Sequence, residues 1–246
     1  MISDFRQNLK SIQDKVQKYS QIYAQKHNIK THEIKLIAVS KYHSTQEILT
    51  LHSLGQCYFG ENKVQDLRQK IGEIDSKSLV GKNSIDKNPI KWHFIGTLQR
   101  NKINSLLALR PALIHSIDSL PLALAIDEKC LELGITQPAL LQVNSANEPS
   151  KHGFSLECAK EAFLEIKDRA KNLNLCGIMT IGAHSDDRSK INDSFAITKE
   201  LYDSLSSAGA SVLSMGMSGD FDLAIQNGAN MLRIGSALFS TNKQNP

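Results

Sequence analysis

The chain has no apolar stretch long enough to cross a bilayer. Its first residues, MISDFRQNLKSIQDK, are polar where a secretory leader would need an apolar centre. The four cysteines, Cys57, Cys130, Cys158 and Cys176, form no C-x-x-C pair. In 246 residues they read as reduced core thiols of a cytoplasmic protein, not as a disulfide frame. Among the eight histidines there is no H-E-x-x-H and no paired ligand spacing, so no metal site is expected. The net charge of +4 is spread over scattered lysines and arginines, without the basic run that tracks a phosphate backbone, and this argues against a nucleic-acid partner. No G-x-G-x-x-G follows the first apolar run, as an open dinucleotide-binding sheet would often show. Gly55 to Gly60 begins like a nucleotide-binding P-loop but continues Glu61-Asn62, which rules out that route to nucleotide hydrolysis.

What is present is ordinary globular composition, 41% hydrophobic and 22% charged, enough for a sizeable core. Length alone does not choose between one large α/β domain and two small ones. The opening segment carries Phe5, Leu9, Ile12, Val16, Tyr19 and Tyr23 at alternating four- and three-residue steps. That is one apolar stripe of a helix over 1–27, ending near His27-Asn28. Beyond it, short apolar runs predict strands at 35–40, 57–59, 91–95, 113–117, 139–143, 175–179, 211–214 and 231–234. Helical patterns fall between them at 45–54, 61–71, 100–109, 119–133, 155–171, 190–207 and 219–227. Ser44-Thr45-Gln46-Glu47 reads as a capping box, and Ser155 and Ser218 as further helix caps. Strand–helix alternation repeated about eight times predicts an α/β fold, a single TIM-type (β/α)8 barrel with an extra N-terminal helix; a doubly wound sheet is the rival. Residues 72–90 (GEIDSKSLVGKNSIDKNPI) read as a polar surface loop inside one domain spanning 1–246, because the alternation resumes at Lys91-Trp92-His93.

In such barrels the chemistry sits where the strands end. Lys41 closes the first strand; Ser214-Met215-Gly216-Met217-Ser218-Gly219 and Arg233-Ile234-Gly235-Ser236 close the last two. Closure would make the last strand the neighbour of the first and bring an amine to a phosphate cup. Glycine lets backbone N–H groups approach an anion, and serine adds a hydroxyl. The pairing points to a phosphorylated ligand that also takes an amine. A lone lysine at a strand end is usually a surface charge, but Lys41 follows a run that should be buried, and burial lowers an amine's pKa for Schiff-base chemistry. Arg233 lies inside the last strand and, if buried, needs a partner. His93 reads as a satisfied core histidine and Asp118 as a helix cap. Lys151 is either a solvated loop lysine or a second amine that meets an aldehyde. No carboxylate pair stands out, and no catalytic residue is assigned.

The chain resembles the YggS/PROSC family of pyridoxal phosphate homeostasis proteins nearly end to end. The resemblance is carried by Ala38-Val39-Ser40-Lys41, Phe59-Gly60-Glu61-Asn62-Lys63-Val64-Gln65, Trp92-His93-Phe94-Ile95-Gly96, Leu98-Gln99-Arg100-Asn101-Lys102, Ile178-Met179-Thr180-Ile181, Ser214 to Ser218 and Arg233 to Ala237. It implies a barrel like the cofactor domain of alanine racemase, with pyridoxal 5′-phosphate (PLP) held as an aldimine on Lys41. It sets Asn62 near the cofactor ring, Ser218, Gly235 and Ser236 around the phosphate, and Arg233 opposite the pyridine nitrogen. It further implies intracellular vitamin B6 homeostasis, by buffering or delivery to apo PLP-dependent enzymes, without established turnover. A PLP-dependent amino-acid racemase is the alternative; it would need a second proton-transfer group, and Tyr42 and Tyr58 do not match that role. Family members commonly carry threonine where Ser236 stands, which keeps the hydroxyl, and proline where Thr97 stands.

Overall fold

The computed structural model describes residues 1–31, 33–80, 88–146, 148 and 151–241, with the backbone alone for 77–80. Eight parallel strands close into a barrel in chain order: β1 Lys35–Val39, β2 Tyr58–Glu61, β3 Lys91–Phe94, β4 Leu113–Ile117, β5 Gln137–Val143, β6 Leu173–Thr180, β7 Val212–Ser214 and β8 Met231–Ile234. Closure is completed where β8 pairs with β1, in a register that sets Arg233 beside Ile37 and Ile234 beside Ala38. The rival open sheet is thereby excluded.

Helices separate the strands, because a parallel pair needs a crossover. They are α2 Thr45–Ser53, α3 Val64–Val80, α4 Ile103–Leu107, α5 Leu120–Leu133, α6 Leu156–Arg169, α7 Arg188–Ser204 and α8 Phe221–Gln226, with one short turn, α9 Ser236–Phe239, after β8. The capping box at Ser44 and Glu47 forms as expected. Ser218 does not cap α8. Asp220 takes that position, and the Ser218 hydroxyl instead accepts the Ala237 N–H, tying the loop after β7 to α9.

The N-terminal helix, α1 Ile2–His27, ends where Asn28 adopts the left-handed conformation. Its expected stripe is its buried face: Phe5, Leu9, Ile12 and Tyr23 are buried, and Val16 and Tyr19 pack against the core. Phe5 meets Phe239 edge to face at 5.7 Å, and Asn8 donates to the carbonyls of Leu238 and Ser240. The helix therefore clasps the segment that follows β8.

Two expectations are corrected. The polar loop over 72–90 begins too early, because α3 continues through Val80. Ile71 and Ile74 extend its apolar stripe onto the core, while Glu73 accepts from Thr45 and Gln69; this packing outweighs Gly72, whose helix penalty is about 1 kcal/mol. Residues 81–87 of that loop lie outside the described residues. The cysteines are free thiols, yet only Cys130 is a core residue and Cys158 is exposed. Among the described residues no helix is long and apolar enough to cross a membrane, and no cluster of metal-binding side chains occurs.

The core has two parts. A large cluster lies between barrel and helices, and a small one of Ile37, Leu113, Leu140, Met179 and Met231 stands apart from it. Side chains alternate along a strand, so Ile37 shares a face with Val39 and Met231 with Arg233. Both Val39 and Arg233 line a cavity at the barrel mouth. The small cluster is the inner filling beneath that cavity.

Candidate functional site

The cavity has a volume of about 720 Å³. Lys41, Asn62, Ser218, Arg233, Gly235 and Ser236 all line it. Of the expected site residues only Ser214 does not; it is fully buried, and its hydroxyl oxygen accepts a hydrogen bond from Arg233.

Lys41 sits in the turn after β1, half-buried. The turn closes through the His43 N–H to the Ser40 carbonyl at 2.9 Å, with Tyr42 at φ 72°, a left-handed conformation uncommon outside glycine. Tyr42 is left 81% exposed, with its ring 5.6 Å from the Lys41 Nζ. Ser40 is anchored from two sides. Its hydroxyl donates to Glu61 Oε1, and its carbonyl accepts from Lys70 Nζ at 2.9 Å. Lys70 Nζ also bonds Glu61 Oε1 at 2.7 Å, so one buried ion pair pins the residue before Lys41 and the residue before Asn62.

Asn62 is brought in by a close approach of backbones. A Cβ at Gly96 would stand 2.0 Å from the Asn62 carbonyl oxygen, so only glycine permits the loop after β3 to lie there. Asn62 Oδ1 is buried without a hydrogen-bond partner among the described residues. A buried acceptor left unpaired costs about 1–3 kcal/mol.

Arg233 is 5% exposed and makes two hydrogen bonds of 2.8 Å, from Nη1 to Ser214 Oγ and from Nη2 to the Thr180 carbonyl. Burial pushes its pKa down to about 10, opposed by the Asp220 carboxylate. It stays protonated at neutral pH. Asp220 is itself pushed up, chiefly by burial, and holds the loop after β7 through the Met217 N–H. That loop turns at Gly216, φ 93°, where a Cβ would meet Ala224 Cβ at 2.5 Å. Around Gly219 a Cβ would meet nothing within 4 Å, so the backbone there stays open to an anion.

A family model described as the alanine racemase N-terminal domain matches residues 2–243. The pyridoxal phosphate homeostasis protein of Helicobacter pylori strain J99 is 48% identical over 236 residues, 96% of this chain and 98% of that protein. The chain belongs to the pyridoxal phosphate homeostasis protein family. Two solved structures are also similar. An unknown protein from Bifidobacterium adolescentis gives a TM-score of 0.85 at 28% identity, over 97% of this chain and 95% of that one. PipY of Synechococcus elongatus PCC7942, solved with PLP bound, gives 0.74 at 29% identity, over 90% of this chain and all of that one.

The residues present fit the PLP of that neighbour. An amine, a permanent cation, an asparagine whose amide oxygen is unpaired, and two glycine-serine turns line one cavity. Several lining residues escaped sequence reasoning. His43 stacks on Phe239 at 3.8 Å and pairs with Glu47 at 3.1 Å. Gln142, Met179 and Ile181 form the far wall with Asn144 and His152. The alternation of their strands was the available signal, but without register it could not say which residues face inward. Lys151 is neither solvated nor free: its Nζ bonds Glu148 Oε1 and the Gly182 carbonyl, both at 2.8 Å. Asp118 does not cap α5, where Ser119 holds the N-cap position; its carboxylate lies 3.8 Å from His152 Nδ1. His93 is a buried core histidine, bonded to His115.

Proposed function

We propose that this chain binds PLP in the barrel-mouth cavity, joined to Lys41 as an aldimine, and serves the homeostasis of that cofactor by buffering it or delivering it to apo PLP-dependent enzymes. The observation that carries this reading is the convergence of Lys41, Asn62, Arg233 and the Ser218 and Gly235-Ser236 turns on one cavity. The family names and the PLP-bound neighbour support it. Bound PLP supplies an aldehyde and an electron-withdrawing ring. Toward it, Lys41 would supply the amine that bonds the aldehyde carbon, with water as the leaving group. Ser218, Ser236, Gly235 and the open backbone at Gly219 would take the phosphate. Ser214 acts one step back, through Arg233. Arg233 only donates hydrogen bonds. Set against the pyridine nitrogen, it would keep that nitrogen unprotonated and restrain carbanion chemistry, which suits holding the cofactor over turning substrate over. The free thiols fit a reducing cytoplasm as its place of work.

Borohydride reduction in the presence of PLP, followed by peptide mass spectrometry, tests the attachment. A pyridoxyl adduct on Lys41 is expected, and its absence from Lys41→Ala. An adduct confined to Lys151, or none, refutes the proposal. Transfer to an apo-enzyme faster than free PLP supplies it would establish delivery.

A further inference from the structure

Two buried histidines lie outside the cavity lining, yet a continuous line of hydrogen bonds joins them to it. Arg233 Nη1 is 2.8 Å from Ser214 Oγ, Ser214 Oγ is 3.2 Å from His115 Nδ1, and His115 Nε2 is 2.8 Å from His93 Nδ1. The line crosses the barrel interior from β8 to β7, β4 and β3. It ends where His93 meets the Tyr58 ring edge on at 5.8 Å. Ser214 and His115 are fully buried and His93 is 3% exposed.

The direction of each bond follows from chemistry. A guanidinium has no acceptor, so Ser214 Oγ must accept from Arg233. Among the described residues the Ser214 hydroxyl has one other partner, His115 Nδ1. Leaving a buried O–H without an acceptor costs about 1–3 kcal/mol, so Ser214 donates to that nitrogen. A neutral imidazole carries one proton, which then sits on His115 Nε2 and is given to His93 Nδ1. Both rings are held neutral by burial. His93 is pushed down to about 3, with Lys35 and Lys91 adding to the effect, and His115 falls well below the usual range, with His93 and Arg233 adding. Every bond therefore points away from the cavity.

We propose that His115 is a positioning residue for Arg233. With its single ring proton on Nε2 it takes the Ser214 hydroxyl proton, turns the serine lone pairs toward Arg233 Nη1, and fixes the guanidinium plane at the base of the cavity, while His93 locks the His115 tautomer. Together with the Thr180 carbonyl at Nη2, this leaves the guanidinium two anchored corners and one orientation. The consequence for the ligand rests on the PLP reading above; the hydrogen-bond direction does not.

Long-range proton–nitrogen NMR on the ligand-free full chain tests the direction. Both histidines should carry their proton on Nε2 at pH 7; a proton on His115 Nδ1 overturns the proposal. PLP titration by absorbance tests the consequence. Ser214→Ala and His115→Leu should each weaken binding about tenfold, the effect of one lost hydrogen bond. The double variant should be no weaker than the worse single, because both cut one line. His115→Gln, with a carbonyl for Ser214 and an N–H for His93, should bind within about threefold of wild type. Additive losses of about a hundredfold in the double variant, or no rescue by glutamine, overturn it. Should His115→Leu fail to fold, Ser214→Ala decides: the His115 Nδ1 resonance must move, and an unmoved resonance overturns the proposal. A wild-type chain that takes up no PLP refutes the function and the ligand half of this inference, while the NMR assignment still decides the direction.

Discussion

Lys70→Met is the variant whose cost can be worked most directly from the structure. Glu61 is fully buried, and its Oε2 has no hydrogen-bond partner among the described residues. Its Oε1 is held by the Ser40 hydroxyl and by Lys70 Nζ at 2.7 Å. Removing the ammonium leaves a carboxylate in the core without a counter-charge, a change that costs about 3–5 kcal/mol. The Ser40 carbonyl loses its 2.9 Å donor in the same step, about 1 kcal/mol more. Methionine returns part of this by packing its stem, so the expected loss is about 4 kcal/mol. With a urea slope near 2 kcal/mol/M the unfolding midpoint should fall by about 2 M. Glu61→Gln added to Lys70→Met removes the stranded charge and keeps an acceptor for Ser40. The double variant should regain about 2 kcal/mol over Lys70→Met alone. Because Ser40 precedes Lys41, PLP uptake should weaken in the single variant and recover in the double. A loss below about 1 kcal/mol for Lys70→Met, typical of an exposed pair, would refute the reasoning. A double variant no more stable than the single would do the same.

Asn62→Leu should raise the melting temperature of the ligand-free protein, by relieving a buried acceptor worth about 1 kcal/mol, while weakening PLP binding; calorimetry with and without PLP reads both signs. Gly96→Ala should destabilise by about 2 kcal/mol and weaken PLP binding, because the new Cβ meets the Asn62 carbonyl at 2.0 Å; an unchanged urea midpoint would contradict that. His93 is buried neutral with a pKa near 3, against 6.5 when unfolded. The unfolded state therefore binds more protons between those values, and stability should fall as pH drops through that window, by about 1.4 kcal/mol per pH unit from this group. Denaturation at pH 7 and pH 5 should show a shallower pH dependence in His93→Gln, and an equal slope would exclude the effect.

The barrel was legible because its signals are local. Eight apolar runs and the polar segments between them carry strand and helix periods within a few residues, and six of the seven expected site residues do line the cavity. Ser214 does not line that cavity but lies beneath it, within the barrel interior. It shares a glycine-serine segment with Ser218, and segment composition does not say which serine faces the mouth. Register decides that, and here it turns Ser214 inward beneath Arg233. The end of α3 was misjudged for a related reason: the stretch from Gly72 is polar in composition, and what holds it helical is Ile74 and Glu73 reaching partners elsewhere in the fold.

By itself, the order of residues determined the strand–helix alternation, the amphipathic first helix, and the amine and glycine-serine turns at the strand ends. These depend on periods and backbone freedoms that each segment carries alone. Only the tertiary structure decided that β8 closes on β1, that Glu61 and Lys70 brace Lys41, and that His93 and His115 stand behind Arg233. Those relations join residues from about 10 to about 200 positions apart, and they exist only once closure and register have chosen which side chains share the barrel interior.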